Sequence, residues 1–312
     1  GLTNRSERTR LDQIRRHNFA CWSDAQLRER MALLARKPGG DPGEDDLPEV
    51  FAVVNEAISR REGAWRFFDS TVKDQQLQAI HELASSVSQS VDYQEALRGF
   101  ASIDSYCWES FNNYMGPVLV RQGLESWEQT LVSSVLYVNQ RSQSEYGAEI
   151  HLPACFYQTL RTHDKNREFV FEVTDEQILA GLLMYQGNIV EMNAGEGKTI
   201  AAAFPIVLHA AQGRTVHVIT ANDYLAGRDA EWLAPVFESL GLSVSAVMEV
   251  MGESERRIAY EKSIVYGALR EFGFDFMRDN LKLSSEEVVQ RGLGVAVIDE
   301  VDHALIDEAN IP

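Results

Sequence analysis

The stretch Gly195-Glu196-Gly197-Lys198-Thr199 constrains this chain more than any other. It follows the β-rich run Asn188 to Met192 and opens the apolar segment Ile200 to Leu208, so the predicted order is strand, glycine-bearing bend, helix. Glycines let the main chain curl until successive N–H groups face one point, and a helix amino terminus adds partial positive charge there. The result is an anion site of the phosphate-loop kind. Lys198 can reach the β and γ phosphates of a nucleoside triphosphate, and the Thr199 hydroxyl is placed to ligate magnesium. The common G-x-x-x-x-G-K-T spacing would set its first glycine at Met192; here Gly195 and Gly197 form the bend.

Val295 to Ile298 is too apolar for a surface strand, and it runs into the adjacent carboxylates Asp299 and Glu300. A buried strand delivering two acids to the ligand edge suits the two roles that hydrolysis requires. Asp299 would hold magnesium through its water shell, and Glu300 would position and polarise the attacking water. Between the two motifs, Thr215 to Thr220, Ser243 to Val247 and Ser263 to Tyr266 read as further strands separated by amphipathic stretches of helix length. Such spacing demands crossover connections. The expectation is an α/β domain, a parallel sheet covered by helices, with its ligand at the carboxyl ends of the strands.

The upstream half has a helical texture. Ser23 and Gln26 form a capping-box pattern ahead of Leu27, Met31 and Leu34, which predicts a helix from about Asp24. Lys37 to Asp46 mixes Pro, Gly and acids and reads as a solvated linker; Pro48 then suits the start of a helix with Phe51, Val54 and Ile58 on its buried stripe. From Ser70 to about Val170 the pattern remains helical, with Leu77, Ile80, Leu83 and Val87 in one stripe and Leu124, Trp127, Leu131, Val135 and Val138 in another. Two readings stand for this segment: a helical packing unit, or a partner-binding groove formed by Trp108, Trp127 and the tyrosines.

Charge bears on partners. Lys and Arg number 29 against 47 Asp and Glu, a net −18, which repels a polyphosphate backbone and disfavours nucleic acid. The sequence contains no run near the ~20 apolar residues of a membrane span, and its start lacks the apolar stretch of an export signal. Cys21, Cys107 and Cys155 are odd in number and widely spaced, as expected of reduced thiols in a cytosolic protein, and no Cys or His spacing suggests zinc.

Taken together, the motifs resemble the SecA family, the ATPase motor of bacterial preprotein translocation. The segment Thr220-Ala221-Asn222-Asp223-Tyr224-Leu225-Ala226-Gly227-Arg228-Asp229-Ala230-Glu231-Trp232 is similar to that family's motif Ia. Gly273-Phe274-Asp275-Phe276-Met277-Arg278-Asp279-Asn280 resembles another hallmark, and Asp299-Glu300-Val301-Asp302 with Leu305-Ile306-Asp307-Glu308-Ala309 resembles its Walker B region. Leu47 to Val54 extends the likeness into the amino-terminal helices. The resemblance implies a RecA-like P-loop NTPase domain that uses ATP and Mg2+, with Gln177 pairing with the adenine edge. The chain departs from the family at Thr174, where a phenylalanine is usual, and at Asn193 and Ala194, where a basic residue and a threonine are usual.

The resemblance also implies an organisation: amino-terminal helices over 1–69, a helical insertion over 70–170 that the motifs do not cover and whose partner is unknown, and a first RecA-like domain over 171–312. The family's second RecA-like domain, which supplies arginines to the nucleotide, follows this region, so the chain alone is expected to bind ATP and hydrolyse it poorly. Implied partners are the SecY channel complex and an unfolded preprotein. The implied location is the cytoplasm, peripherally at the inner face of the plasma membrane through those partners. Two alternatives are a SecA-derived ATPase recruited to another secretion or remodelling task, and a nucleotide-gated interaction module without turnover. Outside the assigned site, His303 reads as a helix residue near the sheet edge, and Arg228 and Arg278 as partners of acids such as Asp229 and Asp279.

Overall fold

The computed structural model describes residues 5–35, 45–69, 71–102, 107–144 and 150–307. Four strands form one parallel sheet: β1 (Val216–Thr220), β2 (Val244–Val247), β3 (Ile264–Ala268) and β4 (Val295–Ile298), in the order β2-β3-β1-β4. Every residue of the two central strands β1 and β3 is buried, His217 and Thr220 of β1 included, whereas no residue of the edge strand β4 is, contrary to the buried strand its apolar run predicts. Helices Asp223–Ser239, Glu253–Tyr260 and Leu269–Asn280 make the crossovers between successive strands. Asn222 starts the first of them, its side-chain oxygen accepting the Leu225 N–H at 3.0 Å.

The expected strand Asn188 to Met192 does not join the sheet: residues 188–193 belong to no strand ladder, and Ile189 is 83% exposed. Residues 189–192 line a cavity of about 500 Å³ together with Val297 and Ile298 of β4. An apolar β-rich run was present, but a strand exists only where a partner edge accepts its hydrogen bonds.

The chain divides into two compact units. The first contains residues 1–17, 28–57 and 173–312 and holds the sheet. In it the helix Lys198–Ala211 packs against Asp175–Tyr185 at Gly181, where a Cβ would meet Ala201 O and Phe204 Cβ, both at 2.9 Å. Phe204 stacks on Phe51 with ring centroids 5.1 Å apart, and Arg15 ties the amino-terminal helix Arg5–Arg16 to Asp175 at 2.8 Å.

The second unit contains residues 18–27 and 58–172 and is helical. Its core joins Phe67, Leu77, Ile80, Phe111, Met115, Leu131, Val135 and Phe156, which realises both predicted apolar stripes. Trp108 is buried there and Trp127 packs against the same core, stacking on His163 at 4.4 Å. A buried ionic knot anchors this unit: Arg60 donates to Asp24 at 2.9 Å and to the carbonyls of Phe19 and Trp22, while Tyr157 donates its hydroxyl to Asp24 at 2.8 Å. Burial, with Asp24 adjacent, pushes the Tyr157 hydroxyl far above the ordinary phenol range.

The Ser23–Gln26 capping box forms as predicted, with reciprocal bonds of 2.8 and 3.2 Å, and its helix runs Asp24–Ala35. The expected linker Lys37 to Asp46 falls mostly on residues 36–44, outside the described residues, as do the last positions of the Walker B likeness, Glu308 and Ala309. Phe51, Val54 and Ile58 are fully buried on the helix Leu47–Glu62. Cys21, Cys107 and Cys155 are free thiols. Among the described residues no helix is long and apolar enough to cross a membrane.

Candidate functional site

The glycine-bearing bend has the backbone its sequence predicts. Gly195 and Gly197 both adopt left-handed φ, 85° and 78°, and Gly197 is the residue from which the helix Lys198–Ala211 departs. L-residues rarely adopt this conformation, so glycine here is a geometric requirement. Helix geometry leaves the N–H groups of Lys198, Thr199 and Ile200 without intrahelical acceptors at the mouth of the bend. Lys198 is exposed and Thr199 half-buried. The site thus presents N–H donors, an ammonium group and a hydroxyl to solvent on one side of the loop.

Glu196 lies between the two glycines and is held from outside the cradle. Its carboxylate accepts the Asn193 N–H at 2.8 Å and the Asn193 side-chain amide at 2.7 Å, and its own N–H returns to Asn193 O at 3.3 Å. These bonds, with a smaller contribution from Lys198, hold the Glu196 carboxyl below the usual carboxylate range. Asn193, where a basic residue was expected, is therefore the loop's internal clamp.

Gln177 is 8% exposed, and its amide is used on both sides. Its oxygen accepts the Thr174 N–H at 3.0 Å and its nitrogen donates to the Glu196 carbonyl at 3.0 Å. Thr174 in turn accepts the Gln177 N–H at 3.3 Å, closing a capping box at the start of the helix Asp175–Tyr185. Threonine at 174, a departure from the resemblance, is thus a helix cap.

Across the loop, Asp299 and Glu300 follow β4. The Asp299 N–H donates to Ile219 O at 2.9 Å, extending the ladder with β1, and the Asp299 carboxylate accepts the Glu300 N–H at 3.0 Å. Glu300 has φ of 51°, a left-handed conformation uncommon for a side chain of its size and of the kind that collects at functional sites. Lys198, Thr199, Asp299, Glu300 and Asp302 all line the one cavity of about 500 Å³. Gln177 and Gly195 to Gly197 do not line it; they shape the loop behind Lys198.

The floor of this cavity contains residues that the motifs did not indicate. Val218, Tyr266 and Val297 are register partners across β3, β1 and β4 and share the cavity with Thr220 and Asp229. The Tyr266 hydroxyl is buried without a hydrogen-bond partner, and burial raises it far above the ordinary phenol range. The available signal was a hydroxyl-bearing side chain in an otherwise apolar strand.

The hallmark Gly273 to Asn280 works at a distance. Asp275 receives Arg256 at 2.9 Å, Tyr260 at 2.8 Å and Arg278 at 2.9 Å, while Glu271 receives Arg256 at 2.7 Å. Arg278 therefore pairs with Asp275 one helical turn back rather than with the expected Asp279. Asp279 instead accepts the N–H groups of Val289 and Gln290, both at 2.9 Å, fixing the connection that leads into β4 and its acids. Arg228 pairs with Asp229 at 2.7 Å, as anticipated. His303 opens a short π-helical turn, His303–Asp307, just past the acids.

Residues 122–312 match the family description "SecA DEAD-like domain". The match starts within the 70–170 segment, which the sequence motifs do not cover, and does not include Leu47 to Val54. The protein translocase subunit SecA of Rubrobacter xylanophilus is 52% identical over 138 residues, 44% of this chain and 15% of that protein. That of Halothermothrix orenii is 45% identical over 161 residues, 52% of this chain and 19% of its own length. That of Nitratidesulfovibrio vulgaris (strain DP4) is 44% identical over 174 residues, 55% and 21% respectively. The aligned part of this chain thus spans about a fifth or less of these relatives' length.

Proposed function

This chain belongs to the SecA family, and from that premise we propose that it forms the ATP-binding half of a motor ATPase that drives preprotein translocation through the SecY channel. The observation that carries the reading is the single cavity shared by Lys198, Thr199, Asp299 and Glu300, which belong to two motifs about a hundred residues apart. In this reading the N–H groups of Gly195 to Thr199 and the Lys198 ammonium bind the β and γ phosphates. Glu300 orients the attacking water and takes up its proton as the γ-phosphoryl group departs. Gln177 keeps one amide hydrogen and one oxygen lone pair uncommitted, the pair of groups an adenine edge needs.

The donor set fits magnesium. The Thr199 hydroxyl and the Asp299 carboxylate are hard oxygen donors on one cavity, and only one Asp299 oxygen is engaged, by the Glu300 N–H. Bound there, magnesium would neutralise charge on the β and γ phosphates.

A role with a protein-translocation machinery accords with the relatives' name, protein translocase subunit SecA; coupling to an unfolded preprotein and to the SecY complex, and a peripheral position at the inner face of the plasma membrane, are proposed from the motif resemblance. Supplied arginines raise related phosphoryl transfers by about 10³ to 10⁵, so this chain alone is proposed to bind ATP and turn it over slowly. The deciding experiment is reconstituted preprotein transport by the full-length protein. ATP-dependent transport that stops in the Lys198→Ala variant supports the proposal; ATP hydrolysis without any transport would move it to a SecA-derived ATPase of another task.

A further inference from the structure

We propose that Gln177 is a positioning residue for the phosphate loop, acting on the binding of a triphosphate whatever base is attached to it. The inference rests on the phosphate-site reading above and adds to it. Base recognition is one use of an amide; bracing the loop is another, and its geometry is in place without any nucleotide.

The loop has two pivots, Gly195 and Gly197, each with left-handed φ and each free of the barriers that a Cβ imposes. Glu196 lies between them, so the peptide planes on both sides of Glu196 determine where the N–H groups point. Four hydrogen bonds fix Glu196: its carboxylate accepts two from Asn193, its N–H donates to the Asn193 carbonyl at 3.3 Å, and its own carbonyl accepts from the Gln177 amide at 3.0 Å. The Asn193 bonds lie within the loop and travel with it. Among the described residues, the Gln177 bond is the one of these four that connects Glu196 to a separate element, the helix Asp175–Tyr185.

That element is rigid. Gln177 is fixed by its own capping box with Thr174 and is 8% exposed, and its helix is locked to the loop's helix by the close approach at Gly181. The amide nitrogen occupies the space beside Gly197 so closely that a Cβ there would lie 2.1 Å from it. Releasing Gln177 would therefore remove both the hydrogen bond on Glu196 and the wall against Gly197, leaving the donors of the cradle to be ordered by the ligand at binding. That ordering lowers affinity for the phosphates themselves.

The test uses the full-length protein and isothermal titration in magnesium with three probes: inorganic tripolyphosphate, ATP and GTP. Gln177→Met removes the amide without adding charge, and Thr174→Val removes the side-chain cap while leaving the Gln177–Glu196 bond. A melting curve establishes that each variant is folded. Loss of one hydrogen bond and its ordering predicts that Gln177→Met weakens tripolyphosphate by about threefold to tenfold, with GTP falling by the same factor and ATP by at least that much. Thr174→Val keeps the Thr174 N–H that holds the Gln177 oxygen, so it should weaken tripolyphosphate by less than Gln177→Met does. Unchanged tripolyphosphate affinity in Gln177→Met with weakened ATP would overturn the proposal, making Gln177 a base reader only. Failure of the wild-type protein to bind any of the three would instead remove the phosphate-site reading and the inference with it. Gln177→Leu, which also removes the amide without adding charge, repeats the measurement if the methionine variant does not fold.

Discussion

Gly197 has no room for a side chain, because the Gln177 amide nitrogen lies 2.1 Å from where its Cβ would be. Its φ of 78° adds a second obstacle, since an L-residue is strained there whatever the space. Gly197→Ala is expected to displace the loop, abolish measurable triphosphate binding in titration calorimetry, and leave the far-UV circular dichroism of the folded chain unchanged.

Lys198→Ala removes the only ammonium group expected to meet the β and γ phosphates. Hydrogen bonds to charged groups contribute about 1.5 to 3 kcal/mol, so ATP affinity should fall by about 10-fold to 150-fold without a change in melting temperature of the nucleotide-free protein. Fluorescent-nucleotide titration measures it.

Glu300→Gln keeps the shape of the side chain and removes its ability to accept a proton. In the full-length protein, ATP affinity should stay within a few-fold of wild type while kcat falls by about 10² to 10⁴. Steady-state hydrolysis at saturating ATP is the measurement, and undiminished turnover would exclude the general-base role.

Asp24→Ala removes the buried carboxylate to which both Arg60, 1% exposed, and Arg61 donate, and deprives the Tyr157 hydroxyl of its acceptor. Breaking a buried pair from one side costs about 3 to 5 kcal/mol. Urea unfolding followed by tryptophan fluorescence should show this loss.

His217 provides the pH dependence. It is 6% exposed on β1 against Phe272 and Tyr260, its Nε2 has no partner, and burial holds its pKa below 6.5. The unfolded chain therefore takes up this proton more readily than the folded one. The His217 contribution to stability is complete above pH 6.5 and is lost as the pH falls from there toward the folded value. Unfolding curves of wild type and His217→Phe between about pH 8 and 5 should converge or cross on acidification, with wild type losing more.

The parts of the molecule that were legible in advance are those written in local pattern. β1 and β3 are β-rich runs, the glycines at 195 and 197 announce left-handed turns, and Asp299 with Glu300 follows the apolar run of β4, although the structure leaves that strand only partly covered where its apolar composition predicted burial. Where the outcome depended on a distant partner, pattern was insufficient. Residues 188–192 have strand composition but pair with no strand, and 189–192 line a cavity instead. The amide of Gln177 meets a carbonyl nineteen residues away, which no periodicity encodes. Asp275 and Asp279 are both acids on one helix, yet one closes a buried network with Arg256 and the other caps the approach to β4; only three-dimensional neighbours distinguish them.

The central claim is that one triphosphate is held between the phosphate loop and the acids after β4. A crystal structure of the full-length protein with magnesium and a non-hydrolysable ATP analogue tests it directly. The account predicts γ-phosphate oxygens within hydrogen-bond distance of Lys198 Nζ, main-chain N–H groups of the loop around the β-phosphate, and the metal between Thr199 and Asp299. A nucleotide bound elsewhere, with the cavity between Lys198 and Asp299 left empty, would contradict it.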